Sequence, residues 1–228
     1  MEHLYKEVEQ FWRNTDSVRS KQAAHWSGSG KYRSLNKWMR IVRQVSATWT
    51  LLKERNFPED TIKSIVEYGC GGGAVLTAMS AFCKNLSAID ISMGSLTIAD
   101  QQLRTIGIND LKTLCIDIRA PEAAIAAGKH SLFVSVAVFQ HLPDRGYARR
   151  VLRIARRLVF DKGLAFIQFR EGPKGDMKRQ YSKCLSAWNC LSAEEFDEDA
   201  TAAGWDVAEI YPNRKTKTGY KWAIMKGV

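Results

Sequence analysis

The run Ser64-Ile-Val-Glu-Tyr-Gly-Cys-Gly-Gly-Gly-Ala74 constrains this chain more than any other part of its sequence. Two β-branched residues lead into an acid, and glycines then occupy positions 69, 71, 72 and 73. Behind them, Val75-Leu-Thr-Ala-Met-Ser-Ala-Phe82 has the composition of a helix. A strand, a glycine turn and a helix N-terminus set backbone N–H groups and bare backbone beside a ligand. The stretch therefore reads as a loop for a nucleotide-type cofactor.

The rest of the chain fits around that unit. From Lys63 onward, short apolar strands (Ser64–Glu67, Leu86–Ile89, Thr113–Ile116, Leu132–Ala137, Leu164–Phe169) alternate with helical patterns (Ala74–Cys83, Gly94–Ile106, Pro121–Ala127, Tyr147–Val159). This alternation predicts a mostly parallel sheet with helices on both faces. After a helix-like Ser192–Ala203, Trp205–Tyr211 and Tyr220–Met225 flank the polar Pro212-Asn-Arg-Lys-Thr-Lys-Thr-Gly219, which predicts a closing antiparallel hairpin. The expected fold is α/β and Rossmann-like, with seven strands. Ahead of it, residues 1–60 read as a helical cap or lid segment, and residues 61–228 as the catalytic domain. In the first part, Leu4, Val8 and Phe11 mark one helical face. Leu35, Trp38, Met39, Val42, Val45, Trp49 and Leu52 mark a longer one.

Composition narrows the class of protein. With 228 residues, 45% of them hydrophobic and 25% charged, the chain has the balance of a soluble globular protein of moderate size. Its opening Met-Glu-His-Leu-Tyr-Lys-Glu-Val lacks the apolar core of a signal peptide, and no apolar run approaches the roughly 20 residues of a membrane helix. A cytoplasmic protein without a membrane partner is expected. The five scattered cysteines include no Cys-x-x-Cys pair, which argues against a disulfide framework and a structural zinc site. Cys70, inside the glycine turn, reads as a small turn residue because no base is in sight to make it a nucleophile.

Two more acids follow where a cofactor needs them. Asp90 ends the strand Leu86-Ser-Ala-Ile-Asp90, and 90 − 69 = 21 residues is the spacing at which an acid binds ribose hydroxyls. Asp117 ends Leu114-Cys-Ile-Asp117. Each of these aspartates has a plainer role available, capping the helix that follows it. Three acidic strand tips, Glu67, Asp90 and Asp117, suit a cationic, phosphate-free ligand better than a pyrophosphate. With Ser135-Val-Ala-Val-Phe-Gln-His141-Leu-Pro-Asp144 and the closing hairpin, these motifs make residues 60–228 resemble the class I S-adenosylmethionine-dependent methyltransferases.

That resemblance implies S-adenosylmethionine as cofactor. Glu67 would lie near the methionine ammonium, with Gly69, Cys70, Gly71 and Gly73 against the methionine and ribose. Asp90 would hold the ribose hydroxyls and Asp117 would accept from the adenine amino group. Ile91 and Ile118 would flank the adenine, and Val136 would face the sulfonium. Some relatives bind magnesium through Glu-x-x-Glu-His at this point. Here Ala137, Gln140 and His141 occupy those positions, so no metal site is expected.

An activated methyl group asks of the protein only alignment, exclusion of water and, for an O or N nucleophile, a proton acceptor. His141 is the best-placed titratable group for that task, and packing of its ring in a structural role is the competing reading. Gln140, Arg170 and Glu171, at the ends of the fourth and fifth strands, are candidate substrate contacts, as are Trp26 and Tyr32 from the N-terminal segment. An ordinary ion pair for Arg170 and Glu171, and helix packing for the aromatics, stand beside those readings. The sequence lacks Asn/Asp-Pro-Pro-aromatic and Pro-Cys motifs after the fourth strand, so a small-molecule acceptor leads.

Two other functions remain in view. Net charge is +10, and Arg145, Arg149, Arg150, Arg153, Arg156 and Arg157 crowd one helix, which would suit an RNA-directed methyltransferase. No aromatic residues interleave there to stack bases. The pattern Gly-x-Gly-x-x-Ala also admits a nicotinamide-dependent oxidoreductase, although no separate catalytic domain accompanies it.

Overall fold

A computed structural model describes residues 2–13, 35–172, 189–212 and 219–228. Its core is one seven-stranded sheet: β1 (Ile65–Tyr68), β2 (Leu86–Asp90), β3 (Lys112–Cys115), β4 (His130–Ser135), β5 (Val159–Arg170), β6 (Trp205–Pro212) and β7 (Tyr220–Gly227). The spatial order is β3-β2-β1-β4-β5-β7-β6. The pairs from β3 through β5 are parallel, and β7 runs antiparallel between β5 and β6. Helices α1 (Glu2–Arg13), α2 (Leu35–Asn56), α3 (Ala74–Met79), α4 (Met93–Arg104), α5 (Arg145–Arg157) and α6 (Ala193–Thr201) complete it, with 3-10 turns at Pro121–Ala127 and Phe139–His141.

Each central strand sorts its side chains between two layers, as a period of two requires. Along β5, Leu164 and Phe166 join Val45, Trp49 and Leu52 of α2 and Leu76 and Met79 of α3. The intervening Ala165, Ile167 and Phe169 face Val151 and Leu152 of α5 and Phe196 of α6. Phe169 and Phe196 stack at 4.2 Å, while Phe166 stacks on Trp222 at 4.8 Å on the opposite layer. Because both faces are covered, these strands read as continuous apolar runs rather than alternating ones.

Three sequence expectations need adjustment. β5 begins at Val159, not Leu164, because a polar excursion at Phe160–Gly163 interrupts its pairing with β4 and turns at Lys162, φ 61°. Pro121–Ala127 winds as a 3-10 helix, and Gly128, φ 81°, follows it. β3 stops at Cys115, so Asp117 sits beyond the strand in a turn rather than at its tip. Among the described residues, no helix is long and apolar enough to cross a membrane.

Candidate cofactor and methyl-transfer site

The chain order reverses between β1 and β4, neighbours in the sheet whose outgoing connections lead to opposite sides. Ligands of open α/β sheets bind at such a switch point, outside the carboxyl ends of the strands. The glycine turn follows β1 there, and the Phe139–His141 turn follows β4.

The two turns interlock through small residues. Gly69 has φ 77°, and a Cβ on it would collide with Cγ2 of Val138. Ala137, just before that valine, itself takes a positive φ of 60°, a strained conformation for a residue with a side chain. Ser135 Oγ donates to the Tyr68 carbonyl at 3.0 Å and ties the two strand ends together. At the other end of the turn, Gly73, φ 82°, lets α3 begin close against α4, where a Cβ on it would lie 3.1 Å from Ala99.

The acids differ sharply in their surroundings. Glu67 is only 1% exposed, and its Oε2 has no hydrogen-bond partner. Burial, and next the charge of Asp90, push its carboxyl well above the ordinary value, against a backbone hydrogen bond at Leu76. Asp90 accepts from the Gly71 N–H at 3.0 Å through Oδ2 and from the Ser92 N–H at 2.9 Å through Oδ1. Burial raises its pKa, and these backbone donors oppose the rise. Asp90 does not cap α4; Ser92 does, accepting from the Ser95 N–H. Asp117 is 46% exposed on its side chain, accepts from the Arg119 N–H at 2.7 Å, and pairs with Arg13 at 3.7 Å and Arg119 at 3.6 Å.

The remaining predicted residues are distributed along the same edge. Ile118 and Val136 are buried in opposite core layers, and Ile91 packs partly against the layer of Ile118. Cys70 is buried, and burial followed by the charges of Asp90 and Glu67 pushes its thiol up, which keeps it protonated. Gln140 is buried; its amide nitrogen reaches Tyr220 Oη at 3.4 Å and its Oε1 has no partner. His141 meets the indole of Trp12 edge-on, with ring centroids 5.0 Å apart. Arg170 ends β5, and the Glu171 carboxylate pairs with Lys221 at 3.1 Å. Trp26 and Tyr32 lie outside the described residues. Among the described residues, no group of His, Cys, Asp and Glu is arranged to hold a metal ion.

Sequence reasoning missed the contribution of α1. Trp12 stands one helical turn after Val8, so the stripe already seen at Leu4, Val8 and Phe11 extends to it at i+4. Arg13, whose Nε donates to the Ile91 carbonyl at 3.2 Å, carried no such signal.

A buried acid with an unpaired oxygen, a glycine cradle and a second acid at the next strand end suit a cationic adenosine ligand. Residues 66–167 match the family model described as a methyltransferase domain. That stretch is a methyltransferase domain. Enzymes of this class are S-adenosylmethionine-dependent, and the chain is an enzyme of that kind.

Solved structures agree on the architecture. Magnesium protoporphyrin IX methyltransferase from Synechocystis PCC 6803, with bound S-adenosylmethionine, is 15% identical with a TM-score of 0.70, over 99% of this chain and 97% of that one. The N-methyltransferase NodS from Bradyrhizobium japonicum WM9, with S-adenosyl-L-homocysteine, is 16% identical with a TM-score of 0.59, over 98% of each chain. CalS10, an amino pentose methyltransferase from Micromonospora echinaspora, is 10% identical with a TM-score of 0.62, over 88% of this chain and 99% of that one. At such identities the likeness concerns the fold alone. No curated protein sequence matches the chain.

Proposed function

We propose that this methyltransferase transfers the methyl group of S-adenosylmethionine to an oxygen or nitrogen nucleophile of a small molecule. The observation that carries the cofactor half of this reading is the unpaired Oε2 of buried Glu67. An isolated buried carboxylate is costly unless a cation compensates it. The ammonium of S-adenosylmethionine is such a cation, and Asp90 beside the turn suits the ribose. Asp117, Ile91 and Ile118 serve the adenine in this reading, and Val136 serves the reacting end. When bound, S-adenosylmethionine supplies a methyl group already activated on a sulfonium.

The protein's own task is then alignment, shielding and proton removal. His141, against Trp12, is the proton acceptor proposed for the nucleophile, and Gln140 with Arg170 and Glu171 faces the acceptor. The small-molecule half draws support from α5. Arg145 pairs with Glu195, Glu198 and Asp199, Arg149 with Asp199, and Arg150 with Glu122. Those guanidiniums already hold carboxylates, so the helix offers phosphates less than its sequence suggests.

Calorimetry with S-adenosylhomocysteine tests the cofactor assignment. Binding that weakens at least about tenfold, or about 1.4 kcal/mol, in Asp90→Ala is expected; equal binding by that variant would sink it. With an acceptor in hand, His141→Ala should cut turnover by about 10²-fold and leave cofactor affinity unchanged.

A further inference from the structure

Helix α1 ends across the carboxyl edge of the sheet, and its last two residues touch both ends of the proposed site. Trp12 lies edge-on to His141 at 5.0 Å. Arg13, about 100° around the helix from it, donates to the Ile91 carbonyl at 3.2 Å and reaches Asp117 at 3.7 Å. Val8, one turn earlier, is buried in the core, and Tyr5 packs against Tyr147 at 6.0 Å. The carboxylate of Glu9 is shared between two guanidiniums, Arg13 at 2.6 Å and Arg119 at 2.6 Å, and Arg119 also holds Glu2 at 3.0 Å. A chain of alternating charges thus runs from α1 to the turn that carries Asp117.

We infer that α1 supplies two residues of the site itself: Arg13 fastens the adenine edge by bridging Ile91 and Asp117, and Trp12 walls off His141 from water. The inference rests on the cofactor reading above, since Ile91, Asp117 and His141 acquire their meaning from it. The apolar anchor at Val8 and Tyr5 fixes the first part of the helix. The last turn is held by partly exposed ion pairs, which are individually weak, so the helix end can lift and reseat as cofactor exchanges. Arg13 then governs how fast the ligand leaves, while Trp12 senses whether the site is filled.

The test uses the full chain, S-adenosylhomocysteine as the probe, and stopped-flow tryptophan fluorescence with calorimetry. Arg13→Gln should release the probe about tenfold faster, with Arg13→Lys intermediate because it keeps the charge without the fork. Raising salt from about 0.05 to about 0.5 M should speed release more from the wild type than from Arg13→Gln, which keeps only the Arg119 pairs, a difference that a merely structural role would not produce. Trp12→Phe should lose most of the fluorescence change while keeping the calorimetric signal. Lys84→Gln, an exposed lysine ahead of β2 at the amino end of the sheet, serves as the control and should match the wild type. Release rates and fluorescence within twofold of wild type in Arg13→Gln and Trp12→Phe alike would overturn this inference alone. Absence of binding by the wild type overturns it together with the cofactor reading.

Discussion

The two ends of the sheet each bury an ionisable side chain, and they treat it in opposite ways. At the amino end, His130 is buried with both ring nitrogens engaged: Nδ1 lies 3.0 Å from the Gly128 carbonyl and Nε2 lies 2.8 Å from Ser87 Oγ. A carbonyl can only accept, so Nδ1 carries the hydrogen and Nε2 accepts from the serine. At the carboxyl end, Glu67 is as deeply buried, sits near a second acid, and keeps one oxygen unpaired. Polar groups buried with partners hold a fold together, whereas a buried carboxyl with an unpaired oxygen in a glycine-lined turn is open to a ligand. The amino end is finished by the chain alone; in the function proposed above, the carboxyl end is finished by the cofactor.

Four experiments would break or sharpen that contrast. The largest effect is expected at Gly69→Ala. Its side chain meets Val138 in a backbone conformation unfavourable for alanine, so strain and overpacking together should cost about 2–6 kcal/mol. Urea denaturation measures it, and adding Val138→Ala should return part of the loss. Next is Glu67→Gln, which keeps the shape of the side chain but removes the carboxyl that a bound cation would pair with. Stability at neutral pH should not fall, while affinity for S-adenosylhomocysteine should drop by tenfold or more, about 1.4 kcal/mol. A destabilised variant with normal affinity would turn the contrast around.

The third prediction concerns pH. Burial lowers the His130 pKa from its ordinary 6.5, so below that pH the unfolded chain takes up a proton that the folded one resists. Stability from this group is present above pH 6.5 and is lost as pH falls toward the folded value, by at most about 1.4 kcal/mol per pH unit. Glu67, raised well above 4.5, acts in the other direction. Its folded carboxyl keeps a proton that the unfolded chain has released, so stability declines as pH rises from 4.5 through the folded value. Urea midpoints across pH for wild type, His130→Asn and Glu67→Gln should separate the two slopes, and saturating S-adenosylhomocysteine should flatten only the second. The smallest effect belongs to Ser87→Ala. Leaving His130 Nε2 unpaired should cost about 1–2 kcal/mol with no change in probe affinity.

Much of the fold was legible because its signals are local. The glycine turn, the acids at 67 and 90, and the apolar runs of β1, β4 and β5 are written in contiguous residues, and the structure puts them on one sheet. What escaped depends on distant partners. The positive φ of Ala137 makes sense only beside Gly69, nearly seventy residues earlier in the chain. The start of β5 at Val159 is hidden by the polar Asp161 and Lys162, and Asp117 falls past its strand because β3 is an exposed edge strand with a short ladder. The seating of Arg13 against Ile91 is a meeting of residues 78 apart in sequence, which no periodicity announces.

The position of β7 has a consequence for how the molecule is made. It follows β6 in the chain yet lies inward of it, between β5 and β6. During synthesis, β6 therefore has no neighbour to pair with until the strand after it has emerged, and the apolar edge of β5 stays open over the same interval. An unpaired edge of that kind invites association between nascent chains. Slowing translation between the codons for β6 and β7, or raising temperature during expression, should send this protein into aggregates well before the folded enzyme itself unfolds.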